Sequence, residues 1–145
     1  MARGLMGASL VNRFTDWEVR LSNLFVERIS SPFKWAGNDC CLFAADGLFV
    51  TTGRDPAAGI RGTYSDALSA ARTVERLGGM NKIASDSFGN EISPLLVKFG
   101  DIGLIENSGR PCLAIFGGEF FHAPGEDGLT IFPVDTCIRA WRLTD

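Results

Sequence analysis

The feature that most constrains this chain is a change of pattern at Gly100. Before it, apolar residues recur at three- and four-residue spacing; after it, they come in short runs cut by turn residues. The runs DIGLIE, CLAIFG, GEFFHA, LTIFPV and TCIRAWRL are separated by SGRP, GG, PGEDG and Asp135. They predict an antiparallel meander of about four or five strands, with hairpin turns at Gly117-Gly118 and Glu126-Asp127-Gly128. Helices followed by a sheet mean an α+β fold. A length of 145 residues suits a single domain with its own core, and there are no repeats.

The first helix is predicted to start at Thr15, where Thr15 and Glu18 match a capping box. Phe14, Trp17, Leu21, Leu24, Phe25 and Arg28 share one face, and Ser30-Ser31-Pro32 end it. Residues 1–14 carry weak signals and are assigned to an arm, which leaves 15–145 as the domain. A second helix runs from Cys40 to Gly53 with Phe43, Ala44, Leu48 and Phe49 inward. Two more are predicted over Ser65–Leu77, closed by Gly78-Gly79, and over Met80–Ser87, after which Phe88-Gly89-Asn90 turns the chain. The Gly- and Pro-bearing stretch from Arg54 to Tyr64 reads as a loop.

Chemistry concentrates where the second helix begins. Asp39 is a good N-cap, because its carboxylate can accept the free backbone N–H groups of the first turn. Cys40 then sits at the first helical position, where the positive end of the helix dipole favours thiolate over thiol. That suits a cysteine nucleophile. The alternative is that Cys40 and Cys41 are small buried hydrophobes of a core helix, as most free cysteines are.

Several classes are excluded. The net charge is −3 with no run of basic residues, so nucleic acid is not an expected partner. No apolar stretch is long enough to span a membrane. Met1 to Val11 is short and broken by Gly4 and Gly7, which is no secretory signal, so synthesis and folding in a cytoplasm are expected. Of the cysteines Cys40, Cys41, Cys112 and Cys137, two are adjacent, and a vicinal bridge is strained; reduced thiols are expected. No C-x-x-C pair is present, so no zinc ribbon, and no cofactor is expected. Cys40, Cys112 and His122, with Asp39, are donor types that suit zinc, but no spacing motif joins them. Trp35, Trp141 and Phe33 read as core or interface aromatics, Asp101 as a strand-entry residue, and Arg61 as a buried or interface anchor.

Three segments, in order, resemble a known family. Phe33-Lys34-Trp35-Ala36-Gly37 with Asp39-Cys40 is similar to the aromatic-x-x-Gly-Gly … Asp-Cys-Ser-Gly start of the NlpC-type cell-wall peptidases. Lys98 to Ile105 resembles their Pro-Gly-Asp-Leu-Val-Phe-Phe strand, and Cys112 to Ala123 their His-Val-Gly-Ile-Tyr-Leu-Gly … Phe-Ile-His-Ala hairpin. The segment Gly53 to Tyr64 resembles a small subgroup encoded among tail-tip proteins of tailed phages and gene-transfer agents.

The resemblance implies a papain-like fold with the nucleophile at a helix N-terminus against a small antiparallel sheet. It puts Cys40 at the nucleophile position, Cys41 at a structural Ser position and His122 at the position that orients the base. The base itself should be a His where this chain has Cys112, and His122 is the only histidine. A neutral thiol, with a pKa of about 8.5, is a poor proton acceptor near neutral pH. The implied geometry brings Cys40 close to Cys112, with His122 beside Cys112 on the neighbouring strand. The expected function is a structural component of a phage or phage-like tail tip on a degenerate, inactive peptidase fold. The alternative is an active cysteine hydrolase cutting peptidoglycan peptides during cell entry. Expected partners are other tail-tip or baseplate proteins, docking through the arm or the Arg54–Tyr64 loop, with peptidoglycan as a further candidate. The implied location is the virion tail, after assembly in the host cytoplasm.

Overall fold

The computed structural model describes residues 12–143. Four helices come first: α1 (Trp17–Arg28), α2 (Cys40–Thr52), α3 (Ala67–Arg76) and α4 (Met80–Phe88). Six strands follow: β1 (Asn90–Ile92), β2 (Ile102–Asn107), β3 (Arg110–Phe116), β4 (Phe121–Gly125), β5 (Gly128–Phe132) and β6 (Cys137–Arg142). They form one antiparallel sheet in the order β1-β6-β2-β3-β4-β5. The fold is α+β, helices before sheet.

The sheet corrects the expected meander of four or five strands in two ways. Only β2 to β5 run as a meander; β6 returns to the free side of β2, and β1 pairs outside it. β1 is three residues with no apolar alternation, so its sequence carries no strand signal, and pairing with β6 alone defines it. Gly89 makes that pairing possible. It has φ 107°, and a side chain there would collide with the Arg142 carbonyl of β6. The β4–β5 hairpin closes on the pair Gly125 and Gly128 around Glu126-Asp127. The β3–β4 connection is longer than a two-residue turn, since the Gly117 N–H donates to the Phe120 carbonyl.

α1 starts later than expected. Thr15 and Glu18 form no capping box; Asp16 occupies the cap position, and its carboxylate pairs with Arg20 at 2.7 Å instead. α2 is capped as expected, by Asp39 at its start and by Gly53, with φ 82°, at its end. Leu42, Phe43, Ala44, Ala45, Gly47, Leu48 and Thr51 are all buried, so α2 is covered on nearly every side and is the central element of the helical half. Phe49 is the exception and corrects the expected inward set: it is 51% exposed, one position round the helix from buried Leu48. The Arg13 and Phe14 end of the expected arm joins the domain, with the Phe14 N–H on the Thr51 carbonyl at 2.8 Å and the Arg13 guanidinium over Trp17. Residues 1–11 of that arm lie outside the described residues.

Alternation along the strands divides the core. Leu104, Leu113, Ile115 and Trp141 pack with Leu21, Leu24, Phe43 and Leu48 of the helices. Ile105, Cys112, Ala114, Phe116, Phe121 and Ala123 form a second cluster, and Cys40 packs against it. Asp101, read as a strand-entry residue, is a buried carboxyl group just before β2, held by the Arg142 guanidinium at 2.7 Å and by the Lys98 N–H. Among the described residues no helix is long and apolar enough to cross a membrane.

Candidate active site

The approach to α2 is a tight loop tied down by Asn38. Its side-chain NH₂ donates to the Ser31 and Pro32 carbonyls, and its oxygen accepts from Arg28. The Lys34 and Asn38 backbones bond each other, which forces Ala36 to φ 66°, a left-handed conformation rare outside glycine. Three donors converge on Asp39, one of them from this loop. One carboxylate oxygen takes the Leu42 N–H at 2.9 Å; the other takes the Ala36 N–H at 3.0 Å and the Tyr64 hydroxyl at 2.5 Å. Burial, and then this bond to Asp39, push the Tyr64 phenol well above its ordinary range, so it stays a donor.

Of the Arg61-Gly62-Thr63-Tyr64 segment, Arg61 and Tyr64 therefore turn inward, while Gly62 and Thr63 are exposed. Arg61 reaches Asp46 of α2 at 2.6 Å and Asp55 at 2.8 Å, and Arg28 of α1 takes the other oxygen of Asp46 at 2.8 Å. The Arg61 guanidinium holds the Asp55 carboxyl below the usual carboxylate range. Sequence reasoning missed Tyr64 and Asp46. Tyr64 lies 25 residues from Asp39, and no local pattern joins them. Asp46 did leave a signal, as the lone charge in an apolar helix, where a carboxylate needs partners.

Cys40 occupies the first position of α2 and is partly buried. It packs against the cluster that holds Cys112, whose own thiol donates to the Leu113 carbonyl at 3.4 Å. Cys112, and then Cys41, hold the Cys40 thiol well below its ordinary value, and Cys40 in turn pushes Cys112 and Cys41 up. Cys41 also lies 3.8 Å from the Met80 sulfur. Cys137 is pushed to about 11 by burial and belongs to the second core cluster.

His122 lies elsewhere, and this corrects the expected position beside Cys112. The β3–β4 register sets His122 opposite Ile115, whereas Cys112 is opposite Ile105 on β2. Three positions along a strand are about 10 Å, and the odd offset reverses the face. The turn over Gly117–Phe120 fixes this register. The imidazole stacks on Phe25 of α1, ring centroids 4.8 Å apart, and packs against Gly117. Cys40, Cys112 and His122 therefore do not converge as a metal site, and among the described residues no group of three or more His, Cys, Asp or Glu side chains could hold a metal ion.

Burial lowers the His122 pKa below its ordinary 6.5. The unfolded chain then takes up a proton before the folded one does, so stability present above pH 6.5 is lost as the pH falls toward the folded value. We expect denaturation midpoints to fall between pH 7 and pH 5.5 (about the window set by an imidazole), and that part of the slope to vanish in His122→Phe. Equal slopes in both proteins would contradict a buried neutral imidazole.

A cleft of about 560 Å³ opens beside Cys40 between α2, α3 and α4, with Trp35, Leu68, Val74, Met80 and Ile83 among its walls. Such a volume accommodates a small organic ligand. Trp35 lies on this wall, 38% exposed and packed edge-on to Phe33, whereas Trp141 is fully buried in the sheet core.

Residues 12–143 match a family described as a domain of unknown function (DUF6950). No curated protein matches the chain.

Proposed function

The chain belongs to the DUF6950 family, and we propose that it is a papain-like, NlpC-type domain without a hydrolytic base, serving as a structural component of a phage or phage-like tail tip. The papain-like reading draws on Cys40 at the start of a central helix, Asp39 as its cap, and an antiparallel sheet that follows in sequence and carries Cys112. The observation that carries the loss of function is Cys112 itself: a thiol pushed above its ordinary value stands in the cluster against which Cys40 packs, where a hydrolase needs a proton acceptor. His122, facing Phe25 from another strand position, does not replace it. The tail-tip assignment, its baseplate partners and assembly in a host cytoplasm rest on the sequence resemblance. The inward contacts of Arg61 and Tyr64 support a role for that segment in shaping this domain.

The test has two arms. Purified protein incubated with cell-wall peptides is expected to release no product above a Cys40→Ala control. Turnover that disappears in Cys40→Ala would establish the second reading, a cysteine hydrolase, which the thiolate-favouring surroundings of Cys40 and the adjoining cleft favour. Separately, mass spectrometry of purified particles is expected to find the protein in tail fractions; its consistent absence there removes the virion role.

A further inference from the structure

The cleft beside Cys40 has a composition that hydrolysis of polar peptides does not explain. Its wall is built from α3 and α4 side chains such as Leu68, Val74, Leu77, Met80 and Ile83, and its charged members are Asp39, Glu75 and Arg110. The Asp39 oxygens are already taken by Leu42, Ala36 and Tyr64. Arg110, at the start of β3, is exposed and has no ion-pair partner among the described residues. The cleft thus joins a thiol, an apolar chamber and an unpaired cation.

The chemistry open to that thiol is selective. Cleaving an amide needs a proton for the departing amine and then a base to activate water, and no imidazole faces Cys40, since His122 stacks on Phe25. A thioester makes no such demand, because its leaving sulfur departs as a thiolate. We propose that the cleft is an acyl site in which Cys40 accepts an apolar acyl chain from an anionic thioester donor. The Cys40 sulfur attacks the carbonyl carbon, the carbon–sulfur bond of the donor breaks, and its electron pair leaves with the donor sulfur. One thioester replaces another, with no net proton and no oxidant. The chain lies along Leu68, Val74 and Met80, and Arg110 meets the donor's anionic head. With no base to activate water, the acyl group stays on Cys40. This inference depends on the missing base and the cleft, not on the tail-tip assignment, so particle analysis and acylation fail independently.

The experiment incubates the full chain with acetyl-, octanoyl- and palmitoyl-coenzyme A at neutral pH and reads intact mass, then maps the modified peptide. One acyl group on Cys40 is expected, formed roughly tenfold or more faster from the longer donors because each buried methylene adds binding energy, and persisting after the donor is removed. Cys40→Ala should take no label. Ala71→Trp projects an indole into the cleft from an exposed position of α3 and should abolish the preference for long chains. Arg110→Glu should raise the donor concentration needed for half-maximal rate severalfold, most at low salt. No adduct, an adduct on another cysteine, equal rates from acetyl and palmitoyl donors, or a preference that survives Ala71→Trp each overturns the proposal. If Ala71→Trp does not fold, as read by circular dichroism, the chain-length series in the unchanged protein decides.

Discussion

Asp39→Ala is expected to reduce the free energy of unfolding by about 3 to 5 kcal/mol, read from urea denaturation. The substitution removes the cap of α2, worth about 1 kcal/mol. It also strands the Tyr64 hydroxyl and the Ala36 N–H, which have no other acceptor in the site, and each unsatisfied buried donor costs about 1 to 3 kcal/mol. Domains of this kind have only about 5 to 15 kcal/mol to lose. Asp39→Asn should keep most of the cap, because its amide oxygen can still accept the Leu42 N–H. Tyr64→Phe should cost about 1 kcal/mol, since Asp39 retains two backbone donors. Combining Tyr64→Phe with Asp39→Ala should be less than additive, because the first change removes a group that the second would strand. An Asp39→Ala protein that unfolds at the wild-type midpoint would contradict this account of how α2 is started.

Cys112→Ala should slow alkylation of Cys40 by iodoacetamide about tenfold below neutral pH and move the midpoint of its pH–rate profile upward. The Cys112 thiol is the leading cause of the low Cys40 value. A hydrogen bond to a charged acceptor contributes about 1.5 to 3 kcal/mol, which corresponds to ten- to a hundredfold in thiolate population. Part of that is offset because a more basic thiolate is the better nucleophile, so the lower figure is expected. Cys112→Ser retains a donor and should keep most of the reactivity. Cys112→His tests the proposed origin of the site: an imidazole there would take the place of the Cys112 thiol, and thiol reactivity of Cys40 that persists with a new pH dependence would mean that the position still accepts a base. Alkylation rates identical in wild type and Cys112→Ala would remove Cys112 from the site.

The start of α2 was legible in the sequence because capping is local: Asp39, three residues of helix and one side chain suffice to specify it. Its end was legible for the same reason, since Gly53 supplies the left-handed residue that stops a helix. An approach of Cys40 to Cys112 was implied by the resemblance alone, and Cys40 packs against the cluster that holds Cys112. What escaped depends on distance or on register. The Tyr64–Asp39 and Arg142–Asp101 pairs span 25 and 41 residues. The face on which His122 lies is decided by the turn over Gly117–Phe120, because shifting a strand by one residue reverses every side chain on it. β1 escaped because a three-residue polar edge strand owes its existence to its neighbour rather than to its own composition.

The burial of α2 on nearly every side has a consequence for how the protein is made. The ribosome releases this apolar helix in the first half of the chain, but the strands that pack on it, β3 and β4, emerge in the second half. At usual translation speeds the helix waits on the order of ten seconds for its cover. Arg28 and Arg61 can clasp Asp46 before then, because α1 and the loop are already synthesised, yet they shield only its polar flank. A nascent or truncated chain that stops before β3 therefore exposes the greasiest helix of the molecule, and holding that helix apart from other nascent chains is a demand on the cell's chaperones.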